Sequence, residues 1–337
     1  MKITLMGCKG TTLDLLNNII SEKALNIDLV ITLPENLGEK HGVAFYRGSE
    51  IVNYCKDKSI PVHVVKSYNL KDQADLKFFK EAQIDLLLVI GWERIVPDEV
   101  LKTLGRFACG MHGSPYGLPR GRGRSPMNWA LITGHNRFVT NLFKYDPFID
   151  AGNIIGFQVF EINKFDTISS LHIKNRIAMY QLIRTYLPLI AKDQVVFKPQ
   201  PPLKPTFYPK RIPTDSGIDW NLNTLQIYNL IRAVSPPYPP AFCYHKNEKV
   251  FLLEVFPFDT ALFDSAIKPG TIVDISVASN EFVIKTKDGS LLVKKFTGLT
   301  TADIQIGDML QGVDSDTILQ EIVKRYHDNT PLDQREI

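Results

Sequence analysis

The sequence contains no long hydrophobic run, and its first residues do not follow the pattern of a secretory signal peptide. Its most apolar stretch, residues 84–90, is far shorter than the roughly 20 residues that a membrane-spanning helix needs. The N-terminus has neither the apolar core nor the cleavage site of a signal peptide. These absences argue against a membrane protein and against export, so we expect a cytoplasmic protein with no membrane partner.

Paired cysteines and a large net charge are also missing. The four cysteines are scattered without a CxxC pair, which disfavours a zinc ribbon or a disulfide scaffold and suits a reducing compartment. We therefore expect no metal site. The net charge of +3 is too small to indicate nucleic-acid binding, and the densest basic stretch, residues 120–124, is better interpreted as a local anion site.

The first 150 residues alternate short apolar runs with amphipathic segments. They predict strands at residues 3–6, 27–32, 61–65 and 84–90, and helices at residues 12–23, 48–58 and 71–82. Such alternation predicts an α/β fold with a doubly wound, mostly parallel sheet and helices on both faces. Ligands of such sheets bind beyond the carboxyl ends of the strands.

The second half of the chain differs in composition. A long helix at residues 167–191, with Asp166 as its N-cap, precedes six prolines between residues 199 and 213 that predict a stiff connector. Turn-punctuated β segments then predict a small barrel-like domain. We predict a catalytic domain at residues 1–196, a linker at 197–223, a small β domain at 224–312, and a helix and tail at 313–337.

His112 is the first candidate for a catalytic residue. It follows a predicted strand at residues 107–111, so we expect it at that strand's carboxyl end, before a loop rich in glycine, proline and arginine. A neutral imidazole suits general-base catalysis, and Asp150, in Asp-Ala-Gly, is a carboxylate able to orient it. A lone histidine is also commonly a core residue, and Asp-x-Gly is often only a turn, so the residues alone leave both interpretations open.

The segment from His112 to Gly152 carries a set of residues in a characteristic order. The set comprises His112, Ser114, Leu118-Pro119-Arg120, Arg122-Gly123, Pro126, Gly134, Val139-Thr140 and Asp150-x-Gly152. It resembles the pattern NxHxSxLPxxxGxxP…GxxxxGxT…DxG of the 10-formyltetrahydrofolate-dependent formyltransferases, with two extra residues between Ser114 and Leu118. The resemblance implies the formyltransferase version of the Rossmann-like fold.

Further segments are most similar to the nucleotide-sugar N-formyltransferases, such as those acting on UDP-4-amino-4-deoxy-L-arabinose. Residues 122–129 resemble their RGRAPLNW segment, residues 211–220 their RTPDDSxxxW stretch, residues 232–241 their RAVxxPWPGA stretch, and residues 38–40 their PGEK loop. The likeness covers roughly residues 1–312.

The resemblance implies an activity and a set of site residues. The activity is formyl transfer from N10-formyltetrahydrofolate to the primary amine of a nucleotide-linked amino sugar, for surface polysaccharide (lipopolysaccharide) biosynthesis. His112 and Asp150 would be catalytic. The folate would be held by Trp92, Arg94, Ile95, Val96, Pro97, Asp146, Pro147, Phe148 and Ile149. The acceptor would be bound by Ser114, Arg120, Arg122, Arg124, Arg211 and, by adjacency, Lys210. Lys40 is an additional candidate for its phosphates. Family members are commonly dimeric, so a homodimer is a further expectation.

Gly110 departs from the family pattern, which has an asparagine whose amide steadies the oxyanion of the tetrahedral intermediate. Losing one such donor typically lowers the rate about 10²–10³-fold. Three interpretations of this glycine compete. Another donor (protonated His112, a backbone N–H or Asn128) takes the place of the asparagine, or the enzyme is slow, or the protein has kept the fold and lost formyl transfer. We favour substitution, because the rest of the set is intact.

Two other functions remain as alternatives. The same chemistry would act on methionyl-tRNA or a small amine, although the modest net charge argues against tRNA. Alternatively, the chain would bind folate or a sugar nucleotide without catalysis.

Overall fold

The computed structural model describes residues 1–23 and 25–329, and its largest element is a seven-stranded sheet. The strands are β1 (Ile3–Met6), β2 (Leu29–Thr32), β3 (Val62–Val64), β4 (Leu86–Val89), β5 (Phe107–Ser114), β7 (Arg137–Lys144) and β8 (Ile154–Glu161), while the two-residue β6 (Arg122–Gly123) lies outside the sheet. The spatial order is β3-β2-β1-β4-β5-β7-β8. The neighbouring strands from β3 to β5 pair in parallel, whereas β7 pairs antiparallel with both of its neighbours, β5 and β8. The predicted mostly parallel α/β sheet is confirmed.

Helices cover both faces of this sheet. They are α1 (Gly10–Ser21), α2 (Glu35–Lys40), α3 (Gly48–Asp57), α4 (Gln73–Glu81), α5 (Asp98–Leu101), α6 (Pro126–Ile132) and α7 (Ile168–Ala191). One apolar cluster joins α1, α3 and α7 to the sheet through residues such as Leu16, Ile51 and Ile183. A second cluster, which includes Phe79 of α4 and Val100 of α5, packs on the other face.

The apolar sequences of the central strands match their burial in the structure. Every residue of β1, β2 and β4 is buried, as expected of strands covered by helices on both sides. Residues 38–40, expected as a loop, instead complete α2. In the described part of the chain, no helix is long and apolar enough to cross a bilayer.

The predicted cap of α7 is wrong by one residue. Thr167 is the N-cap, and its hydroxyl accepts a hydrogen bond from the Ser170 amide at 3.5 Å. Asp166 instead accepts from the Asn163 amide and the Ser170 hydroxyl and pairs with Lys174. The reason is positional, because only the side chain immediately before the first helical residue reaches the third helical amide.

The proline-rich connector runs extended and is tied to the first half of the chain. Its strand β9 (Phe207–Tyr208) pairs in parallel with β6. The Arg122 amide donates to the Thr206 carbonyl, and the Arg124 amide donates to the Tyr208 carbonyl, both over 2.9 Å. The connector therefore forms part of the wall around the loop that follows β5.

An antiparallel sheet occupies the C-terminal part. Its strands are β10 (Ala241–His245), β11 (Glu248–Pro257), β12 (Ile272–Ser276), β13 (Glu281–Lys285) and β14 (Ser290–Thr297), in the order β10-β11-β14-β13-β12. Bridges from Gln311 to Tyr244 and from Met309 to Thr271 connect its two sides and give it a barrel-like form. Helix α8 (Thr224–Ala233) packs on β11, and α9 (Ser315–Asn329) follows. The predicted tail beyond residue 329 lies outside the described residues.

Candidate active site

His112 and Asp150 lie together at the edge where the parallel part of the sheet ends. His112 Nδ1 is 3.4 Å from Asp150 Oδ2, and Nε2 is 2.8 Å from the Gly121 carbonyl oxygen. The expectation that β5 ends before His112 is wrong. Its parallel partner β4 ends opposite Gly110, but the antiparallel partner β7 extends the pairing through Ser114, so His112 is held within a strand.

The turn that carries Asp150 is held by Gln200. Asp150 has φ +49, and a Cβ at Gly152 would collide with the Lys144 carbonyl, which explains the glycine of Asp-x-Gly. Gln200 Nε2 donates to the Asp150 carbonyl at 2.7 Å and to the Gly152 carbonyl at 3.0 Å. No sequence signal pointed to Gln200, which comes from the distant connector.

The loop between β5 and α6 closes over the pair. Ser114 is fully buried, donates through its hydroxyl to the Arg120 carbonyl at 2.6 Å and accepts from the Tyr116 amide. The Gly123 amide donates to Asp150 Oδ2 at 3.3 Å. The hydroxyl of Ser114, predicted to bind the substrate, is thus bonded within the loop.

The three loop arginines have different surroundings. Arg120 is exposed. Arg122 is buried and donates to Gln200 Oε1 at 2.7 Å, and its Nε has no partner among the described residues. Arg124 donates to Glu93 Oε2 at 3.2 Å, and Glu93 also pairs with Lys9. Although burial favours the neutral carboxyl, the charges of Lys9 and Arg124 lower the pKa of Glu93.

The first of the two segments predicted to bind folate is partly buried. Residues 92–97 follow β4, where Ile95 is 55% exposed and Trp92, Val96 and Pro97 are buried, while Arg94 is exposed and covers Tyr68. The indole N–H of Trp92 is buried without a partner among the described residues.

Residues 146–149 lie in the loop that carries Asp150. Phe148 is 61% exposed, Asp146 and Pro147 are also exposed, and Ile149 is half-buried. Exposed Phe148 and Ile95 are the kind of apolar surface that a flat ring would cover.

Gly110 lies against the ring of Tyr145. A Cβ at Gly110 would be 2.8 Å from both Cζ and the hydroxyl oxygen of Tyr145, so no side chain fits there beside this ring. No sequence pattern pointed to Tyr145, which follows β7 and whose amide donates to the Ala108 carbonyl. Asn128, considered as a substitute donor, is buried and donates to the Ala233 carbonyl at 2.7 Å.

Arg211 lies beside Trp129 of α6. Its guanidinium is 4.9 Å from the indole ring centre and donates to the Asp215 carbonyl, while Trp129 Nε1 donates to the Pro209 carbonyl. A cavity of about 80 Å³ opens here, lined by Arg211 together with Ser125 and Ser216. Burial lowers the pKa of Arg211 to about 10, which keeps it cationic at neutral pH. Lys210 is exposed.

An imidazole 3.4 Å from a carboxylate, beside a glycine-rich loop in an α/β fold, is an arrangement suited to handling a proton at a reacting group. Comparison with protein families names the class. Residues 12–185 match the model described as "Formyl transferase", and residues 211–313 match "Formyl transferase, C-terminal domain". The chain belongs to the formyltransferase family and is a one-carbon transferase.

Solved structures share the fold at low identity. An N-formyltransferase from Helicobacter canadensis, in complex with folinic acid and dTDP-3-aminofucose, has a TM-score of 0.63 and 16% identity over 88% of this chain and 100% of its own. HypX from Aquifex aeolicus, with tetrahydrofolic acid, has a TM-score of 0.58 and 17% identity over 96% of this chain and 48% of its own. Methionyl-tRNA formyltransferase from Clostridium thermocellum has a TM-score of 0.51 and 17% identity over 76% and 93%.

Proposed function

We propose that the chain transfers a formyl group from N10-formyltetrahydrofolate to the primary amine of a nucleotide-linked amino sugar. The observation that carries this proposal is the His112–Asp150 pair, 3.4 Å apart, under the loop that follows β5. The pair lies in a chain of the formyltransferase family, where it is suited to moving the single proton that transfer to an amine releases.

Folate would supply the formyl carbon on N10. The amine nitrogen forms a bond to this carbon, the bond from the carbon to N10 breaks, and the proton lost by the amine is delivered to N10. No oxidation or reduction takes place. His112 accepts and returns the proton, while Asp150 orients the ring and stabilises its charged form.

Proton transfer by His112 depends on which of its ring nitrogens carries the proton. A neutral imidazole has one N–H, so a ring that donates from Nδ1 to Asp150 has its lone pair at Nε2. In this structure Nε2 lies 2.8 Å from the Gly121 carbonyl oxygen, an acceptor that pairs only with an N–H, so this geometry suits the tautomer with its proton on Nε2. Proton acceptance from the amine at Nε2 requires the ring proton to move to Nδ1, which faces Asp150, and requires the amine to displace the Gly121 carbonyl.

Exposed apolar side chains support folate as the donor. Ile95 and Phe148 offer surface for the pterin ring, and the unpartnered Trp92 N–H offers a donor to a polar group of the ligand. The chemistry of these groups fits a flat heterocycle with polar edges.

Contacts between two distant segments support an amino-sugar acceptor. Residues 122–129 and 211–220, which resemble the nucleotide-sugar enzymes, meet at Trp129 and Arg211 beside the cavity. A cationic guanidinium in this position suits a phosphate or carboxylate group of the acceptor.

The test combines ligand screening with turnover. Thermal shifts would be measured with dTDP-, UDP- and GDP-linked amino sugars, with and without folinic acid, followed by formyl-transfer assays on the stabilising compounds. We expect selective stabilisation by one nucleotide class and turnover that falls about 10²–10⁴-fold in His112→Asn. The exposed His327→Asn serves as the matched control.

Two outcomes would contradict the proposal. Retained turnover in His112→Asn would remove the proton-transfer role. Formylation of methionyl-tRNA with steep salt dependence, and none of the sugars, would move the acceptor to tRNA.

A further inference from the structure

The Tyr145 hydroxyl lies beside Gly110 of β5, two residues before His112, without a hydrogen-bond partner of its own among the described residues. Within residues 1–23 and 25–329, no group forms a hydrogen bond with it. Its oxygen would be 2.8 Å from a Cβ at Gly110. Gly110 and His112 are separated by one residue in β5, so their side-chain directions point to the same face of the sheet.

The pairing register places Tyr145 on that same face. Phe143 is opposite Gly110 and Asn141 is opposite His112, and Tyr145 follows Phe143 by two residues. The Phe143 and Tyr145 rings stack with their centres 5.5 Å apart. The phenol is therefore held by packing on one side and directed at the strand that carries His112.

Formyl transfer to an amine creates a negative charge on the formyl oxygen as the new bond forms, and a preorganised donor stabilises this charge. The side-chain amides of Asn128 and Asn141 already donate to backbone carbonyls, that of Asn128 to Ala233 and that of Asn141 to His112 and Val139. An asparagine at position 110 would carry its amide nitrogen two bonds from Cβ, in the region that the Tyr145 hydroxyl occupies.

We propose that the Tyr145 hydroxyl donates the hydrogen bond that stabilises the formyl oxyanion, in place of an amide at position 110. This inference rests on the formyl transfer proposed above. Tyr145 acts as a donor only, while the amine proton passes through His112 to N10. Burial, together with the charge of Asp150, raises the pKa of the Tyr145 phenol, so the donor keeps its proton at neutral pH.

The experiment compares Tyr145→Phe, which removes only the hydroxyl, with Tyr54→Phe, whose hydroxyl contacts Asn17 on α1. Rates would be measured with N10-formyltetrahydrofolate as donor and two acceptors, dTDP-3-aminofucose and hydroxylamine. We expect kcat of Tyr145→Phe to fall about 10²-fold with both acceptors. The KM values should change little, because the oxyanion exists only on the way to product.

Binding and rescue separate this role from a structural one. Tyr145→Phe should bind folinic acid and melt as the wild type does. The double variant Gly110→Asn/Tyr145→Ala, which removes the ring and restores an amide, should exceed Tyr145→Ala in kcat by about tenfold or more. A kcat of Tyr145→Phe within threefold of wild type would overturn the inference.

The acceptors distinguish this inference from the proposed function. If the wild type formylates hydroxylamine but no amino sugar, the proposed acceptor is wrong. The kcat of Tyr145→Phe with hydroxylamine then still tests whether Tyr145 stabilises the oxyanion. If the wild type formylates neither, the formyl transfer fails first and the role of Tyr145 is overturned with it.

Discussion

The side-chain amide of Gln200 donates to the backbone carbonyl of Asp150 over 2.7 Å, and its oxygen accepts from Arg122 at the same distance. One residue of the proline-rich connector thus joins the turn of the candidate carboxylate to the loop over the histidine. Arg122, predicted to bind the substrate, is buried and donates to this Gln200 oxygen.

Replacing Gln200 tests this relationship. Gln200→Leu leaves the Asp150 and Gly152 carbonyls and the Arg122 guanidinium without their partner, and we expect a loss of about 1–3 kcal/mol in unfolding free energy. The kcat should fall more than KM rises, because the His112–Asp150 geometry loosens. Denaturant unfolding and steady-state kinetics measure both, with the exposed Gln194→Leu as control. Wild-type stability and kcat in Gln200→Leu would contradict the role.

Gly110 and Tyr145 are predicted to be energetically coupled. Gly110→Ala places a methyl group against the Tyr145 ring, and overpacking of this kind typically lowers unfolding free energy by about 1–3 kcal/mol. In a Tyr145→Ala background the same change should cost much less, because the ring is gone. A double-mutant cycle by denaturant unfolding measures the coupling, and additive effects would show that the two sites do not interact.

Phe148 should matter for the folate and not for folding. The side chain is 61% exposed, so Phe148→Ala should leave the unfolding free energy within about 0.5 kcal/mol. Covering a phenyl ring with a ligand stabilises binding by about 1.5 kcal/mol or more, which corresponds to a roughly tenfold weaker folate affinity in the variant. Folinic acid titration measures this affinity. Phe165→Ala, at 76% exposure before α7, is the control, and equal affinities in the two variants would place the folate elsewhere.

His172 should give folding a pH dependence. Burial and the charge of Lys9 lower the pKa of His172 from 6.5 to about 4, and its Nε2 is 2.9 Å from the Tyr238 hydroxyl. The unfolded chain therefore binds this proton more readily, so the contribution to stability is present above pH 6.5 and is lost as pH falls towards 4.

The measurement compares wild type with His172→Gln by denaturant unfolding. Between about pH 7.5 and pH 5, the wild type should lose about 2 kcal/mol more than the variant. Parallel pH profiles would show that His172 does not carry this dependence.

Much of the architecture could be predicted because its signals are local. The buried runs of β1, β2 and β4, the amphipathic α1 and the prolines of the connector each follow from neighbouring residues. Predictions failed where a boundary depends on a distant partner. β5 continues to Ser114 because β7 pairs with it, and nothing in the sequence of residues 112–114 predicts that pairing.

The site shows the same division. Residue type and spacing are enough to select His112, Asp150 and the glycines around them as candidates, because tight turns favour glycine and proton transfer favours an imidazole near a carboxylate. Three further relationships are visible only in the folded chain: Gln200 holds the Asp150 turn, Arg122 is buried, and Tyr145 fills the space beside Gly110. These relationships join residues far apart in the chain or across neighbouring strands. Their energies depend on packing and burial, which arise only once the sheet, the loop and the connector have come together.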